Sequence, residues 1–331
     1  MRTPPKEKTA VVVLQFGGPD SLDAVEPFLY NLFSDNDIVQ IPFSFLLQKP
    51  VAKLISSQRS KSVREKYGEI GGKSPIVEKT HQQVTALQKR LDSEYGEGVI
   101  PVILAMRYWK PLTEEAMEKV QSLGIKNIVF LPLYAQYSKT NAVSSYNEWD
   151  RVKHRQGVDF SEKRIYYYHK NEKYIRALNE RIDEALARFT KSDDVYILFS
   201  AHGIPIDLVF EGDAYPVHIN ETMEAVMNER EFKHQYSLSY QSKVGPKQWL
   251  TPSTEETLKL FGKNGMKKLL IVPIAFVSDH IETLHELDIE LREIAEHVGI
   301  HEYQVMEGLN DSPVFIDALF DLVEKELKEL P

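Results

Sequence analysis

The stretch Pro273–Glu290, PIAFVSDHIETLHELDIE, carries carboxylates at Glu282, Glu286 and Glu290, four residues apart. On an α-helix this spacing puts them on one face, each about 6 Å above the last at ~1.5 Å rise per residue. Like charges so placed cost a helix a few tenths of a kcal/mol per pair, of order ~0.3. A path for a cation is one reason to keep them. The structural alternative is that Asp279 caps the helix with Glu282 at its third position, a pair like a capping box, and that the other two form a solvated face. His202 is the second candidate. It directly follows the apolar run Val195–Ser200, VYILFS, and precedes Gly203. An imidazole there can serve as a base near neutrality, as a metal ligand, or simply as a loop histidine bonded to backbone. Imidazole with carboxylate suits a borderline divalent metal such as Fe²⁺ or Zn²⁺. One His and one Glu fall short of the roughly four ligands of a closed structural site, so an open site that hands a metal on fits better. A hydrolase built on Ser200 and His202 lacks the G-x-S-x-G elbow.

The elements that must position these groups alternate. Ala10–Phe16, Val99–Met106, Asn127–Leu133 and Arg164–Tyr168 read as strands, and so do Val195–Ser200, Gln235–Tyr240, Leu269–Ile274 and Tyr303–Met306. Helical patterns fall over Leu22–Phe33, Val77–Leu91 and Tyr174–Phe189, and begin near Thr113, Thr254 and Pro313. Tyr67–Pro75, YGEIGGKSP, reads as a Gly-rich loop. Pro111, Thr113, Glu114, Glu115, Gly124, Lys126 and Pro132 each recur 141 residues on, at Pro252, Thr254, Glu255, Glu256, Gly265, Lys267 and Pro273. That is the mark of a duplicated unit. The expectation is an α/β fold of two doubly wound, Rossmann-like domains with parallel four-stranded sheets, residues 1–160 and 161–331. The last helix is expected to pack on the first domain. Ligands in such folds bind at the carboxyl ends of strands, so the cleft is expected within or between the domains. His202 and Glu282 lie at two such ends.

Composition narrows the classes. Apolar residues at 42% and charged residues at 27% fit a globular chain, and 331 residues suffice for two domains. A net charge of −9 argues against nucleic acid as partner. Without any cysteine the chain cannot hold a thiolate-ligated cluster or a disulfide. No signal-peptide pattern and no 18-residue apolar run are present, and a cytoplasmic location is expected.

The motifs, in order, are LQFGGP at 14–19, YGEIGGKSP at 67–75, MRYWKPLTEEA at 106–116, LPLYAQYS at 131–138, SAHGIP at 200–205, YQSKVGPKQWLTP at 240–252 and PIAFVSDHIETLHELDIE at 273–290. Together they resemble the ferrochelatase family, haem synthases of the bacterial type without an iron–sulfur cluster, along nearly the whole chain. The resemblance implies a chelatase-like fold and a lyase that inserts Fe²⁺ into protoporphyrin IX with release of two protons, the last step of haem biosynthesis. Iron is then a substrate, and no cofactor is required. It implies that His202 takes pyrrole protons or ligates iron, with Glu282 beside it, and that Glu286 and Glu290 conduct metal or protons. It places Arg107, Tyr108, Tyr134, Trp249 and Phe16 in the porphyrin cleft, and Tyr67 and Ser74 near a propionate. On the residues alone, Tyr67, Tyr134 and Trp249 read as core packing. Phe16 stands where some relatives have Tyr or Met, and it cannot ligate metal. His169, His285 and the remaining histidines match no motif and read as surface or packing residues.

Residues 41–75 match the family's cleft lip. The apolar part, Ile41–Ile55, with Lys49 and Lys53 interspersed, is expected to make peripheral membrane contact at most, or to act as a lid. Two other functions compete: the same insertion into coproporphyrin III, and a non-catalytic tetrapyrrole carrier. A carrier has no need of a proton acceptor and an acidic ladder.

Overall fold

The computed structural model describes residues 2–38, 44–243, 245 and 247–330, and of 44–46 the backbone only. Ile41, Pro42 and Phe43 of the expected lip lie outside the described residues. The chain forms two compact units: one comprises the residues up to Tyr134, Ser138–Tyr167 and the stretch from Ile316, and the other comprises Ala135–Tyr137 and Tyr168–Phe315.

The first unit runs β1 (Thr9–Gln15), α1 (Val25–Phe33), α2 (Ser44–Glu69), α3 (Ile76–Tyr95), β2 (Val102–Met106), α4 (Thr113–Ser122), β3 (Asn127–Pro132), α5 (Ser144–Gln156) and β4 (Ser161–Arg164). Its sheet is parallel in the order β2-β1-β3-β4. β1 is central and buried at every residue, as a continuous β-branched run should be when helices cover both faces. Val12, Leu14, Phe130 and Trp149 lie in its core.

The second unit follows with α6 (Glu172–Leu186), β5 (Tyr196–His202), α7 (Ile206–Phe210), α8 (Tyr215–Glu229), β6 (Tyr236–Gln241), α9 (Thr254–Lys263), β7 (Lys268–Pro273), a helical segment over Glu282–Glu290, α10 (Leu291–His297) and β8 (Glu302–Val305). The helix α11 (Pro313–Leu327) closes the described elements. Its parallel sheet has the order β6-β5-β7-β8, which matches the first unit strand for strand. The duplication is visible in detail. α4 and α9, and β3 and β7, stand 141 residues apart at both ends. Met106 N–H donates to Pro111 O in one half, and Tyr240 N–H donates to Pro252 O in the other. Leu14 pairs with Pro132, and Ser200 with Pro273. These registers make Phe16 the counterpart of His202.

Three local expectations need correction. The fourth strand is Ser161–Arg164 and not Arg164–Tyr168. It is an edge strand bonded on one side only, so the polar SEKR suffices, and Tyr166 and Tyr167 lie exposed beyond it. Tyr67 is not in a glycine loop, because α2 runs 26 residues to Glu69, through Pro50 and past Tyr67. Asp279 does not cap the following helix. Its carboxylate instead accepts from Gly308 N–H, Asn310 Nδ2 and Thr283 Oγ1, tying the turn after β7 to the loop after β8.

Candidate active site

In a sheet ordered like this one, the first strand and the one beside it on the far side carry crossovers on opposite faces. Their carboxyl ends therefore diverge into a crevice. In the second unit those strands are β5 and β7. β5 ends at His202, and the turn after β7 leads to Glu282. The two side chains meet there, with Nδ1 of His202 at 2.9 Å from Oε2 of Glu282.

The ring of His202 is held from several sides. Tyr215, at the start of α8, donates its hydroxyl to the His202 carbonyl at 2.9 Å. Trp249 and Phe276 present their rings edge-on at 6.4 and 6.3 Å between centroids. Gly203 is required by this packing. A Cβ there would lie 3.0 Å from the Gln241 carbonyl oxygen and 3.2 Å from the Trp249 ring. The indole N–H of Trp249 is buried with no hydrogen-bond partner among the described residues. Ser200 takes no part with His202. Its hydroxyl is buried against Gln241 Oε1 and Thr254 Oγ1, which removes the hydrolase reading.

Glu282–Glu290 is a wide helix with i→i+5 bonding, closed by Leu291 N–H to Glu286 O, and not the α-helix that the spacing predicts. Such turns recur at functional sites because they rotate side chains off the ordinary 3.6-residue repeat. Here the carboxylates diverge in their partners. Glu286 Oε1 accepts the Ser242 N–H at 2.8 Å, and Oε2 accepts the Ser242 hydroxyl. Ser242 stands at φ 63°, a left-handed backbone that aims both donors at the carboxylate. Glu290 turns instead to Nδ1 of His285 at 3.7 Å, so the expected row of three is a pair plus an outlier.

The charges follow from these contacts. Burial pulls the His202 imidazole down, but the charge and hydrogen bond of Glu282, with the charge of Glu286, outweigh it and raise its pKa above the ordinary value. Burial pushes Glu282 up, and the charges and hydrogen bonds of His202 and His280 overcome it, leaving the carboxyl well below the usual carboxylate range. Glu286 is raised, first by burial and then by the charge of Glu282, against the opposing Ser242 bonds. The site thus holds an ionised carboxylate, a basic imidazole and a second carboxylate whose affinity for a proton is raised.

Two of the cleft residues expected in the first unit, Arg107 and Tyr108, gather on a different hub. Asp35, which the sequence reading did not single out, is buried. Its Oδ2 accepts from Tyr108 Oη at 2.6 Å, Ser144 Oγ at 2.8 Å and Arg107 Nη2 at 2.8 Å. Arg107 also reaches Ser144 Oγ at 3.1 Å and Glu148 at 3.5 Å. A cavity of about 340 Å³ opens on Asp35, Arg107, Glu148 and Arg151. Phe16 packs edge-on to Tyr108, 4.6 Å between centroids. Tyr134 and Tyr67 are buried. Ser74 is buried against Gly18, where a Cβ would meet its hydroxyl at 2.6 Å.

The ferrochelatase family model matches residues 8–327 of this sequence. The chain belongs to the ferrochelatase family. A ferrochelatase of Geobacter metallireducens is 49% identical over 319 residues, covering 96% of this chain and 98% of that protein. The ferrochelatase of Aquifex aeolicus is 44% identical, with 97% and 100% covered. The one from Synechocystis is 43% identical, with 98% and 84% covered. Among solved structures, SirB from Bacillus subtilis with Fe³⁺ gives a TM-score of 0.55 at 13% identity, over 97% of this chain and 95% of that one. CbiX, described as the terminal enzyme for biosynthesis of sirohaem in denitrifying bacteria, gives 0.50 at 6% identity, over 96% and 98%. Both likenesses speak to the fold, which the family shares with these chelatases.

Proposed function

We propose that this protein inserts Fe²⁺ into protoporphyrin IX, with His202 and Glu282 as the reacting pair. The observation that carries this reading is the 2.9 Å contact between His202 Nδ1 and Glu282 Oε2 at the crevice of the second sheet. An ionised Glu282 holds the proton of the ring on Nδ1 and leaves Nε2 as the basic nitrogen. Metallation displaces two pyrrole protons. Nε2 of His202 takes one as the metal–nitrogen bonds form, and Glu286 offers a second carboxylate for the other. Side-chain exposures of 36% for His202 and 27% for Glu282 leave the pair reachable. The edge-on rings of Trp249 and Phe276 beside His202 suit a flat apolar macrocycle. Arg107 and the propionate-binding role of Tyr67 and Ser74 belong to the same proposal.

The test is anaerobic metallation with Fe²⁺, offering protoporphyrin IX and coproporphyrin III in separate cuvettes beside a His202→Ala control. Faster loss of free protoporphyrin, abolished in the control, supports the reading. Faster turnover of coproporphyrin moves the protein to the other ring. Binding of either ring without metallation overturns the enzyme reading.

We further propose peripheral membrane contact through α2. Leu47 and Leu54 stand seven residues apart on that helix, 45% and 57% exposed, with Lys49 and Lys53 between them. No helix among the described residues is long and apolar enough to cross a membrane. Flotation with anionic vesicles tests the contact. Leu47→Glu with Leu54→Glu should abolish co-flotation, and absence of flotation by the unaltered protein would end the proposal.

A further inference from the structure

Away from His202, three potential metal ligands converge in the second unit. His169 lies in the loop before α6, and His218 and Glu221 lie one turn apart on α8. Their ligand atoms all fall within 4.8 Å of one another. Nε2 of His169 is 2.6 Å from Oε2 of Glu221. The two imidazoles stack nearly face to face, 3.7 Å between centroids and 11° between planes, so one ring must turn out of the stack for both in-plane lone pairs to meet one ion. This is unlike a chance surface pairing, because the backbone builds it. Thr222 donates its hydroxyl to the His169 carbonyl at 3.1 Å, and the Tyr137 N–H donates to His218 Nδ1 at 3.1 Å. Lys170 holds the other oxygen of Glu221, Oε1, at 3.0 Å.

We infer that His169, His218 and Glu221 form a second divalent-metal site, separate from the His202–Glu282 pair. Two imidazoles and one carboxylate suit the borderline first-row metals, Zn²⁺, Co²⁺ and Fe²⁺ among them, and discriminate against Mg²⁺ and Ca²⁺. Three protein ligands leave positions for water, and Glu221, with its side chain 39% exposed, opens the site to solution. The protons balance by relocation. At His169 the ring proton moves from Nε2 to Nδ1 as Nε2 takes the metal. At His218 the Tyr137 N–H gives up Nδ1, either to the metal itself or to the proton that shifts there when Nε2 coordinates. Occupancy is therefore written into the Tyr137 amide. α8 also carries Tyr215, which grips the His202 carbonyl. The site thus sits about 9 Å or less along the same helix from that contact.

The test uses the full chain without a histidine tag, in a His202→Ala, Glu282→Gln background that removes the first pair. Co²⁺ is titrated by its visible absorption bands and Zn²⁺ by calorimetry. One equivalent should bind. Both His218→Ala and Glu221→Gln should weaken it about 10- to 100-fold or more. Glu221→Gln is the conservative variant, isosteric and partly exposed, for the case that His218→Ala does not fold. Zn²⁺ should also shift the Tyr137 amide in an ¹⁵N-resolved spectrum. No binding in the background, or binding unchanged by Glu221→Gln with a silent Tyr137 amide, would overturn the site and leave a hydrogen-bonded histidine stack.

Discussion

The main-chain N–H of Ser242 lies 2.8 Å from Oε1 of Glu286, and its hydroxyl donates to Oε2 of the same carboxyl group. One residue therefore satisfies both oxygens of the second acidic side chain at the site. Those bonds stabilise the charged form against burial and the neighbouring Glu282. Ser242→Ala keeps the left-handed backbone and the N–H but removes the hydroxyl. The pKa of Glu286, followed by carboxyl ¹³C shift, should rise further above its ordinary value. Metallation should slow if the ionised form accepts a proton. An unmoved titration would mean that the hydroxyl does not set the charge of Glu286.

Glu282→Gln removes the larger part of what holds His202 above its ordinary pKa and leaves burial opposed only by the charge of Glu286. The imidazole should then titrate lower than in the parent, which proton NMR of the ring can follow. Stability follows the same sign. A raised histidine pKa contributes stability that is complete below the unfolded value near 6.5 and fades as pH rises through the folded value. The Tm difference between the parent and His202→Ala should thus be larger at pH 6 than at pH 9. The contribution of Glu282, whose pKa is depressed, is present above its unfolded value and is lost only as pH falls through the folded one. An equal difference at both pH values would rule out the charged pair as the source.

Gly203→Ala should damage the site without touching a titrating group. Its Cβ would press on the Gln241 carbonyl and the Trp249 ring. Overpacking of this kind costs about 1–3 kcal/mol, measurable by urea denaturation, and should displace Trp249, visible in its fluorescence. A variant with unchanged stability and emission would show that the β5–β6 junction yields more easily than its distances suggest.

Asp35→Ala should be among the costliest single changes in the first unit. It strands Arg107, Tyr108 and Ser144 around an emptied hub. Removing one partner of a buried pair typically costs about 3–5 kcal/mol. Guanidinium unfolding checks this, and a loss below about 1 kcal/mol would mean that Arg107 is satisfied by Glu148 alone.

Both sheets were legible because central strands buried on both faces must be largely apolar, as VVVL at 11–14 and ILF at 197–199 are, and the repeat because its landmarks recur 141 residues on. The pairing of His202 with Glu282 was legible for a topological reason: the ends of β5 and β7 are where such a sheet opens. The wide helix was not, because i→i+4 and i→i+5 bonding accept the same residue types. β4 was missed because an edge strand needs no apolar signature. Tyr67 was misplaced because glycines at 71 and 72 drew the loop back into α2. Asp35 and the His169–His218 stack left no periodic trace, since their partners come from distant segments and their spacing follows no helix or strand.

The registers that make Phe16 the counterpart of His202 bear on how such an enzyme can arise. After a gene fuses to its own copy, one half can keep the reactive imidazole while the other replaces it with a phenyl ring. The sheet order is indifferent to which residue ends the strand. Selection for chemistry and selection for shape then act on separate copies of one ancestral blueprint. Each copy becomes free to specialise its own strand ends.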